Sequence, residues 1–203
     1  MTGPRLTVPP GRAGRLWLVR RLGPARTGAG LLDRKLRLLR AELTRRQAAA
    51  ELTAQRWDSC QEDARVQLLR AALLGGQRAV RLAAGGYADV TIRYAATMGI
   101  RYPAAAVCTA PAPATWEGAV LAQARRAHQE ALAAAAEHAA ATAALRVIEA
   151  ETAATRYRLR AIRERWIPRL ESALAEVTLA IEEQEQADAA RLRRAAPDPW
   201  SGR

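Results

Sequence analysis

The residues able to do acid–base, thiol or metal chemistry are few in this 203-residue chain, and none forms a recognisable catalytic pattern. His128 and His138 lie ten residues apart in an alanine-rich stretch, without an acidic pair at metal-ligand spacing. Cys60 and Cys108 form no CxxC pattern, which is typical of reduced thiols in a cytosolic protein. The motifs GxxxxGK[ST], GxSxG and HExxH do not occur. The sequence therefore predicts a non-catalytic chain without a metal or cofactor, whose histidines face solvent or a partner.

Apolar residues at helical spacing are the strongest pattern in the first quarter of the chain. Between residues 18 and 43 they recur in alternating steps of four and three, which predicts the seam of a coiled coil. Gly23-Pro24 interrupts this seam, so we expect the helix to be firm from about residue 26 and weaker before it. Gly75-Gly76 predicts a helix end near Leu74. The seam residues are Leu18, Leu22, Ala25, Ala29, Leu32, Leu36, Leu39 and Leu43.

A second seam follows in the last third of the chain, in a helix for which Thr115 is the expected N-cap. Its steps alternate between three and four as far as Trp166, and one extra residue then enters the repeat before Leu174. Pro168 lies inside this phase shift. We interpret Pro168 as a kink or a local adjustment of the supercoil, and not as a helix end. The seam residues are Leu145, Ile148, Thr152, Thr155, Leu159, Ile162, Trp166, Leu170, Leu174, Val177 and Ile181.

The middle of the chain has a different pattern. Val90, Ile92 and Tyr94 alternate with polar or small residues, and a turn around Met98-Gly99 and a proline-rich exit follow, which predicts a short β-hairpin. The expected fold is mainly α, with a long antiparallel two-helix coiled coil formed by the N- and C-terminal helices and a small β-hairpin-containing head between them. The expected segments are a flexible arm (1–14), a coiled-coil helix (15–74), the head (75–114), a second coiled-coil helix (115–194) and a flexible tail (195–203).

The formal net charge of +12 is unevenly distributed along the chain. Residues 1–46 carry twelve basic and two acidic groups, whereas residues 171–190 carry six acidic groups and no basic one. An antiparallel pairing would bring these two regions together. Because an exposed ion pair contributes only a few tenths of a kcal/mol, the charges are expected to set register and orientation more than stability. No run of 18 uninterrupted apolar residues occurs, so we expect no membrane span.

Three segments in this order carry a family resemblance that covers essentially the whole chain. Residues 15–22 and 30–39 form a Leu-rich, Lys/Arg-rich opening helix, residues 98–103 read Met-Gly-Ile-Arg-Tyr-Pro, and residues 166–171 read Trp-Ile-Pro-Arg-Leu-Glu. Together they resemble the D subunit, the central-stalk rotor component of the V-type and A-type rotary ATPases. Gly23-Pro24 departs from the helix formers usual there. The motif positions are Met98, Gly99, Pro103, Ile167, Pro168, Arg169, Leu170 and Glu171.

The resemblance implies a non-catalytic central rotor-stalk subunit of a proton- or sodium-translocating ATPase or ATP synthase. Such a subunit transmits torque between the catalytic hexamer and the membrane rotor. The implied partners are the catalytic and non-catalytic ATPase subunits, the small F subunit of the central stalk, and a socket subunit on the membrane rotor ring. The resemblance implies no nucleic-acid partner. It implies contact with the membrane only through the complex. The implied location is cytoplasmic and peripheral to the plasma membrane, and the preference for arginine over lysine is typical of a GC-rich bacterium.

Two other classes remain open from the sequence. One is a structural coiled-coil stalk of another ATPase-driven assembly, such as a secretion system, against which the β-containing head argues. The other is a basic nucleic-acid-associated coiled coil, in which the N-terminal arginines would contact phosphates and binding would weaken steeply with salt. The seam leucines interleaved with those arginines favour a coiled coil with an acidic partner helix.

Overall fold

The structure is a computed structural model and describes residues 6–83, 86–111 and 118–195. These residues form a mainly α fold in which a two-stranded hairpin lies between two long helical segments, so the predicted fold class is confirmed. The elements in order are helix α1 (Gly11–Ala83), strand β1 (Asp89–Thr97), strand β2 (Ile100–Thr109), helix α2 (Ala119–Ala161), a π-helical turn (Ile162–Trp166) and helix α3 (Ile167–Ala195).

Helix α1 begins earlier than its sequence suggests and includes Pro24. The backbone is therefore already helical from Gly11, in the segment where the sequence predicts a weaker helix. Leu18 and Leu22, on the N-terminal side of the proline, are 0% and 8% exposed. Their burial stabilises this segment as a helix, and packing of this kind commonly overrides an unfavourable local residue.

Near the predicted helix end at Leu74, the helical backbone of α1 is interrupted at Gly76. Gly76 has φ 80° and ψ 151°, which is not helical, yet helical backbone resumes after it and continues to Ala83. A positive φ of this size is readily adopted by glycine and by few other residues. The glycine pair therefore interrupts the helix within two residues of the predicted end, and a further helical segment that the sequence did not predict continues to Ala83.

The hairpin is antiparallel and closes through the two-residue turn Met98-Gly99. Both turn residues have positive φ, 51° and 79°, as the tightest class of hairpin turn requires. The pairing register runs from Thr97 opposite Ile100 to Asp89 opposite Thr109, with a bulge between Arg93 and Tyr94.

The second helical segment is described from Ala119 and ends at Ala195. The proposed N-cap at Thr115 lies outside the described residues, as do residues 196–203 of the expected tail and residues 1–5 of the expected arm. In the first turn of α2, the Ala122 N–H donates to the Gly118 carbonyl oxygen at 3.0 Å. Helical backbone continues through Pro168, which agrees with the interpretation that this proline does not end the helix.

The chain divides into two compact units. Unit 1 comprises Met1–Lys35 and Thr155–Arg203, and its described residues have a core of Leu18, Leu22 and Leu170. Unit 2 comprises Leu36–Ala154 and has a core cluster of Tyr102, Ala144 and Ile148. Away from that cluster, the buried residues of unit 2 are largely alanines on both helices, which permit close packing but bury little area: Ala50, Ala64, Ala71, Ala124, Ala127, Ala134 and Ala140.

One helical stretch, Ala119–Arg194, contains a window that is apolar enough to cross a membrane by length and composition alone. This test averages hydropathy and allows charged residues in the window, so it differs from the search for an uninterrupted apolar run. The window is 33% buried inside the fold. A core helix of a soluble protein passes the same test, and the stretch is rich in alanine, so this finding by itself assigns no membrane span.

Candidate functional site

The seam of unit 1 is a narrow apolar core between antiparallel helices. Leu18 and Leu22 of α1 pack with Leu170 of α3. Half-buried side chains surround these three, and most of them come from predicted seam positions or from the positions beside them: Trp17, Ala25, Trp166, Ile167, Ala173, Leu174 and Val177.

Every predicted seam position on the two helical segments is buried or half-buried. Three leucines outside the seam, Leu16, Leu31 and Leu38, are more than half exposed. The buried seam residues are Leu18, Leu22, Ala29, Leu36, Leu39, Ile148, Thr152, Thr155, Leu159 and Leu170. The half-buried ones are Ala25, Leu32, Leu43, Leu145, Ile162, Trp166, Leu174, Val177 and Ile181.

Ion pairs connect α1 of unit 1 to the segment that runs antiparallel to it, and we call three of them the cross pairs. Two of them join the basic opening helix, within residues 1–46, to the acidic run at residues 171–190, as the charge distribution predicts. All six side chains are more than one third exposed, so each pair contributes little to stability and mainly favours one register. The cross pairs are Arg12–Glu185 at 2.6 Å, Arg26–Glu171 at 2.6 Å and Asp33–Arg163 at 3.8 Å.

The π-helical turn accommodates the phase shift of the second seam. The Ile167 N–H donates to the Ile162 carbonyl oxygen, five residues back, whereas an α-helix bonds four residues back. The turn therefore holds one extra residue. It ends at Trp166, two residues before Pro168, whereas the seam spacing placed the extra residue within 166–174. Next to it, the hydrogen bond to Glu164 and the charge of that carboxylate raise the pKa of the exposed Arg160.

Two buried threonines occupy the seam where leucine or isoleucine would be usual. The Thr152 hydroxyl donates to the Ile148 carbonyl oxygen at 2.7 Å. The Thr155 side chain is fully buried, and its hydroxyl is the one buried side-chain polar atom among the described residues that lacks a hydrogen-bond partner. An unpaired buried hydroxyl is a net cost, because it has lost water without gaining another partner.

Tyr102 of β2 anchors the hairpin on α1 through a polar network that we call the hairpin seat. Arg46 donates to the Tyr102 hydroxyl at 2.8 Å and also lies over the tyrosine ring, with its Cζ 4.5 Å from the centroid. Glu42, only 7% exposed, accepts from Arg46 at 2.7 Å. The Thr97 hydroxyl lies 3.4 Å from that of Tyr102. The seat thus combines one buried carboxylate, one arginine and one tyrosine.

The opposite side of the hairpin faces outward. Val90, Ile92 and Tyr94 of β1 are each about half exposed, and Arg101 lies over the Tyr94 ring at 4.4 Å. Of the motif positions, Met98, Pro103, Ile167 and Arg169 are half-buried, Leu170 is buried, and Gly99, Pro168 and Glu171 are exposed. The motif positions therefore fall at two places: the hairpin, and the helix just after the π-helical turn.

The histidines and cysteines lie apart from one another. His138 stacks on Trp57 with ring centroids 5.5 Å apart, and its two ring nitrogens lie 3.2 Å and 3.4 Å from the hydroxyls of Thr53 and Thr142. His128 Nδ1 lies 2.9 Å from the Ala124 carbonyl oxygen. Both cysteines are free and half-buried. Within the described parts of the chain, no group of three or more His, Cys, Asp or Glu side chains could hold a metal ion.

A family model for the D subunit of ATP synthase matches residues 16–196, nearly the whole of the described chain. The chain belongs to the ATP synthase D-subunit family. A search of curated proteins finds no significant match. Membership of this family identifies the chain as a stalk subunit of a rotary ATPase, a class that is generally non-catalytic. Such a stalk component associates with other ATP synthase subunits in a membrane-associated complex.

Two features of this D-family chain escaped sequence reasoning. Leu6 and Val8, assigned to a flexible arm, pack against the core of unit 1. Gly14 permits this, because a Cβ at that position would overlap the Pro9 carbonyl oxygen. The hairpin seat was also missed. Glu42 and Arg46 have the i, i+4 spacing of a helical ion pair, but nothing local connects them to a tyrosine 56 residues further along.

Proposed function

We propose that the chain is the central rotor-stalk subunit of a V-type or A-type ATPase or ATP synthase, and that it transmits torque between the catalytic hexamer and the ion-translocating membrane rotor. The observation that carries this proposal is the family match across residues 16–196. The antiparallel pairing of the two terminal helical segments around a leucine seam supports it.

The paired helices of unit 1 have properties that suit a rotating shaft. Two helices packed along a seam resist unwinding better than a single helix, because twisting either one disturbs the packing of Leu18, Leu22 and Leu170. Around this narrow core the surface is rich in arginine and glutamate, and the cross pairs are exposed. A solvated, charged surface makes contacts that can exchange as the shaft turns.

The catalytic chemistry belongs to partner subunits in this proposal. Residues 15–46 and 156–194 form the shaft inside the ring of catalytic and non-catalytic subunits. An asymmetric shaft contacts the three catalytic sites differently, and it can therefore bias each site toward a different state. Residues 85–113 lie beside the small F subunit of the stalk, and a socket subunit joins the chain to the membrane rotor. The complex faces the cytoplasm, on the plasma membrane of a GC-rich bacterium.

Truncation of the acidic end tests this assignment. A chain lacking residues 171–203 loses two of the three cross pairs and the seam residues Leu174 and Val177. In the reconstituted complex we expect it to abolish coupling between ATP hydrolysis and ion transport. The matched control is a chain lacking only residues 196–203, which should couple normally. Circular dichroism of both chains verifies that their helices remain folded. Normal coupling by the shorter, folded chain would show that this end is not the shaft.

A further inference from the structure

We propose that unit 1 contains a flexure, a level at which both of its helices are weakened and where local opening is concentrated. On α1 this level is marked by Gly28 and Gly30, and on the opposing segment by the π-helical turn and Pro168. Unit 1 is elsewhere held by a regular seam. The flexure is a property of the chain alone, so it does not depend on the proposed role in a rotary complex.

The cross pairs place the two weak segments opposite each other. Between the first and second cross pairs, α1 advances fourteen residues and α3 runs back fourteen, so the helices are in regular antiparallel register. Between the second and third cross pairs, α1 advances seven residues and the opposing segment runs back eight. The extra residue is the one that the π-helical turn holds. Gly28 and Gly30 lie within that interval on α1, and Pro168 lies within it on the other side.

The segment around Pro168 lacks a backbone hydrogen bond and has no fully buried side chain. Proline has no N–H to donate, so one helical hydrogen bond is missing there. The π-helical turn contains no buried residue. From Leu159 (6% exposed) to Leu170 (0% exposed), no side chain in between is buried. Over these three turns the seam is made by half-buried side chains such as Trp166 and Ile167, which pack against the core of unit 1.

The two glycines weaken α1 at the same level without any steric need. A Cβ built on Gly28 or Gly30 would meet nothing within 4 Å, and neither residue has positive φ. Neither close packing nor backbone conformation therefore requires glycine at these positions, as packing does at Gly14. Glycine is among the least favourable residues in a helix interior, because it loses the most backbone freedom when it becomes helical.

Amide hydrogen exchange on the full chain tests the flexure directly. Residues 25–31 and 162–168 should exchange faster than residues 18–22 and 170–177, which lie nearer the helix ends. This order is the opposite of simple end fraying, in which protection decreases toward the termini. Faster exchange in the outer segments than in the flexure would overturn the proposal.

Two variants restore regular helix, one on each side. The first is Gly28→Ala with Gly30→Ala, which should slow exchange at 25–31 on the order of tenfold. The second deletes the exposed Arg165 and adds Pro168→Ala. Deleting one residue inside the turn replaces its i→i−5 hydrogen bond with the i→i−4 hydrogen bond of an α-helix. The seam residues on both sides of the turn still point toward α1. Both variants should raise the melting temperature and bring exchange in the flexure to the rate of the flanking segments.

A deletion outside the turn is the matched control. Glu176 is exposed and lies in regular helix between Leu174 and Val177. Its deletion rotates every following seam residue away from α1 by about 100°, so the melting temperature should fall. If the Arg165 deletion with Pro168→Ala lowers the melting temperature as much as the Glu176 deletion does, the turn is required for packing and the flexure is refuted.

Discussion

Arg26 of α1 and Glu171 of α3 form an ion pair in which Nη2 and Oε1 are 2.6 Å apart, although 145 residues separate them in the sequence. The pair joins the basic opening helix to the first residue of the acidic run. With Arg12–Glu185 it fixes the antiparallel sense of unit 1, because the higher-numbered arginine pairs with the lower-numbered glutamate.

Exchanging the two charges tests how much this pair contributes. The side chains of Arg26 and Glu171 are 60% and 44% exposed, so either single reversal, Arg26→Glu or Glu171→Arg, should lower the free energy of unfolding by only a few tenths of a kcal/mol. The double reversal should recover most of that loss. The measurement is urea unfolding in low salt and in about 0.5 M salt, where screening should remove the difference. A loss that persists in high salt would mean that the substitutions act through packing.

The unpaired hydroxyl of Thr155 predicts a stabilising substitution. Thr155→Val keeps the shape of the side chain and removes an oxygen that has no partner, so the free energy of unfolding should rise by about 1 kcal/mol. The control is Thr152→Val, three residues earlier on the same seam, which removes a hydroxyl that donates to Ile148. It should lower the free energy of unfolding by about 0.5–1 kcal/mol. Shifts in the same direction for both valines would contradict this account.

The hairpin seat predicts a local effect for Tyr102→Phe. The ring remains, but the hydroxyl that accepts from Arg46 is lost and a half-buried guanidinium loses a partner. Amide exchange across residues 89–109 should become about fivefold faster, which corresponds to roughly 1 kcal/mol. Tyr94→Phe is the control, because Tyr94 is on the same hairpin and its side chain is half exposed. Equal effects of the two substitutions would mean that the seat does not hold the hairpin.

The absence of a side chain at Gly14 allows the N-terminal segment to pack on unit 1, and a substitution at this position tests that packing. In Gly14→Ala, the added methyl overlaps the Pro9 carbonyl oxygen, so Leu6 and Val8 must move away from the core of unit 1. The lost burial should lower the free energy of unfolding by about 1–2 kcal/mol. Gly28→Ala adds the same methyl to the same helix, where it meets nothing, and should be stabilising. The outcome that would contradict this packing is stabilisation by both substitutions.

The sequence predicts the faces of the helices well, because a seam of alternating three- and four-residue steps allows only one buried side. Leu18, Leu39 and Leu170 are fully buried as that pattern requires. The family resemblance is confirmed by the family match over residues 16–196. The spacing also reveals that one residue is surplus near Pro168, since counting along the seam is enough to detect it.

The position of that surplus residue depends on backbone hydrogen bonds, which seam spacing does not determine. Pro168 has no backbone N–H to donate. The altered hydrogen bond precedes it, from the Ile167 N–H to the Ile162 carbonyl oxygen. The persistence of helix through Pro24 depends on the burial of Leu18 and Leu22, which local propensity does not include. The hairpin seat joins residues distant in sequence, so no local pattern predicts it.

Direct observation of rotation tests the central proposal most fully. Tyr87 is fully exposed at the start of the hairpin region, so Tyr87→Cys, with Cys60→Ser and Cys108→Ser, provides one site for a bead. The chain is assembled with the immobilised catalytic hexamer, and ATP is added. We predict stepwise rotation of the bead in one direction, which stops when ATP is removed. A hexamer that binds the labelled chain and hydrolyses ATP while the bead stays still would contradict the proposal.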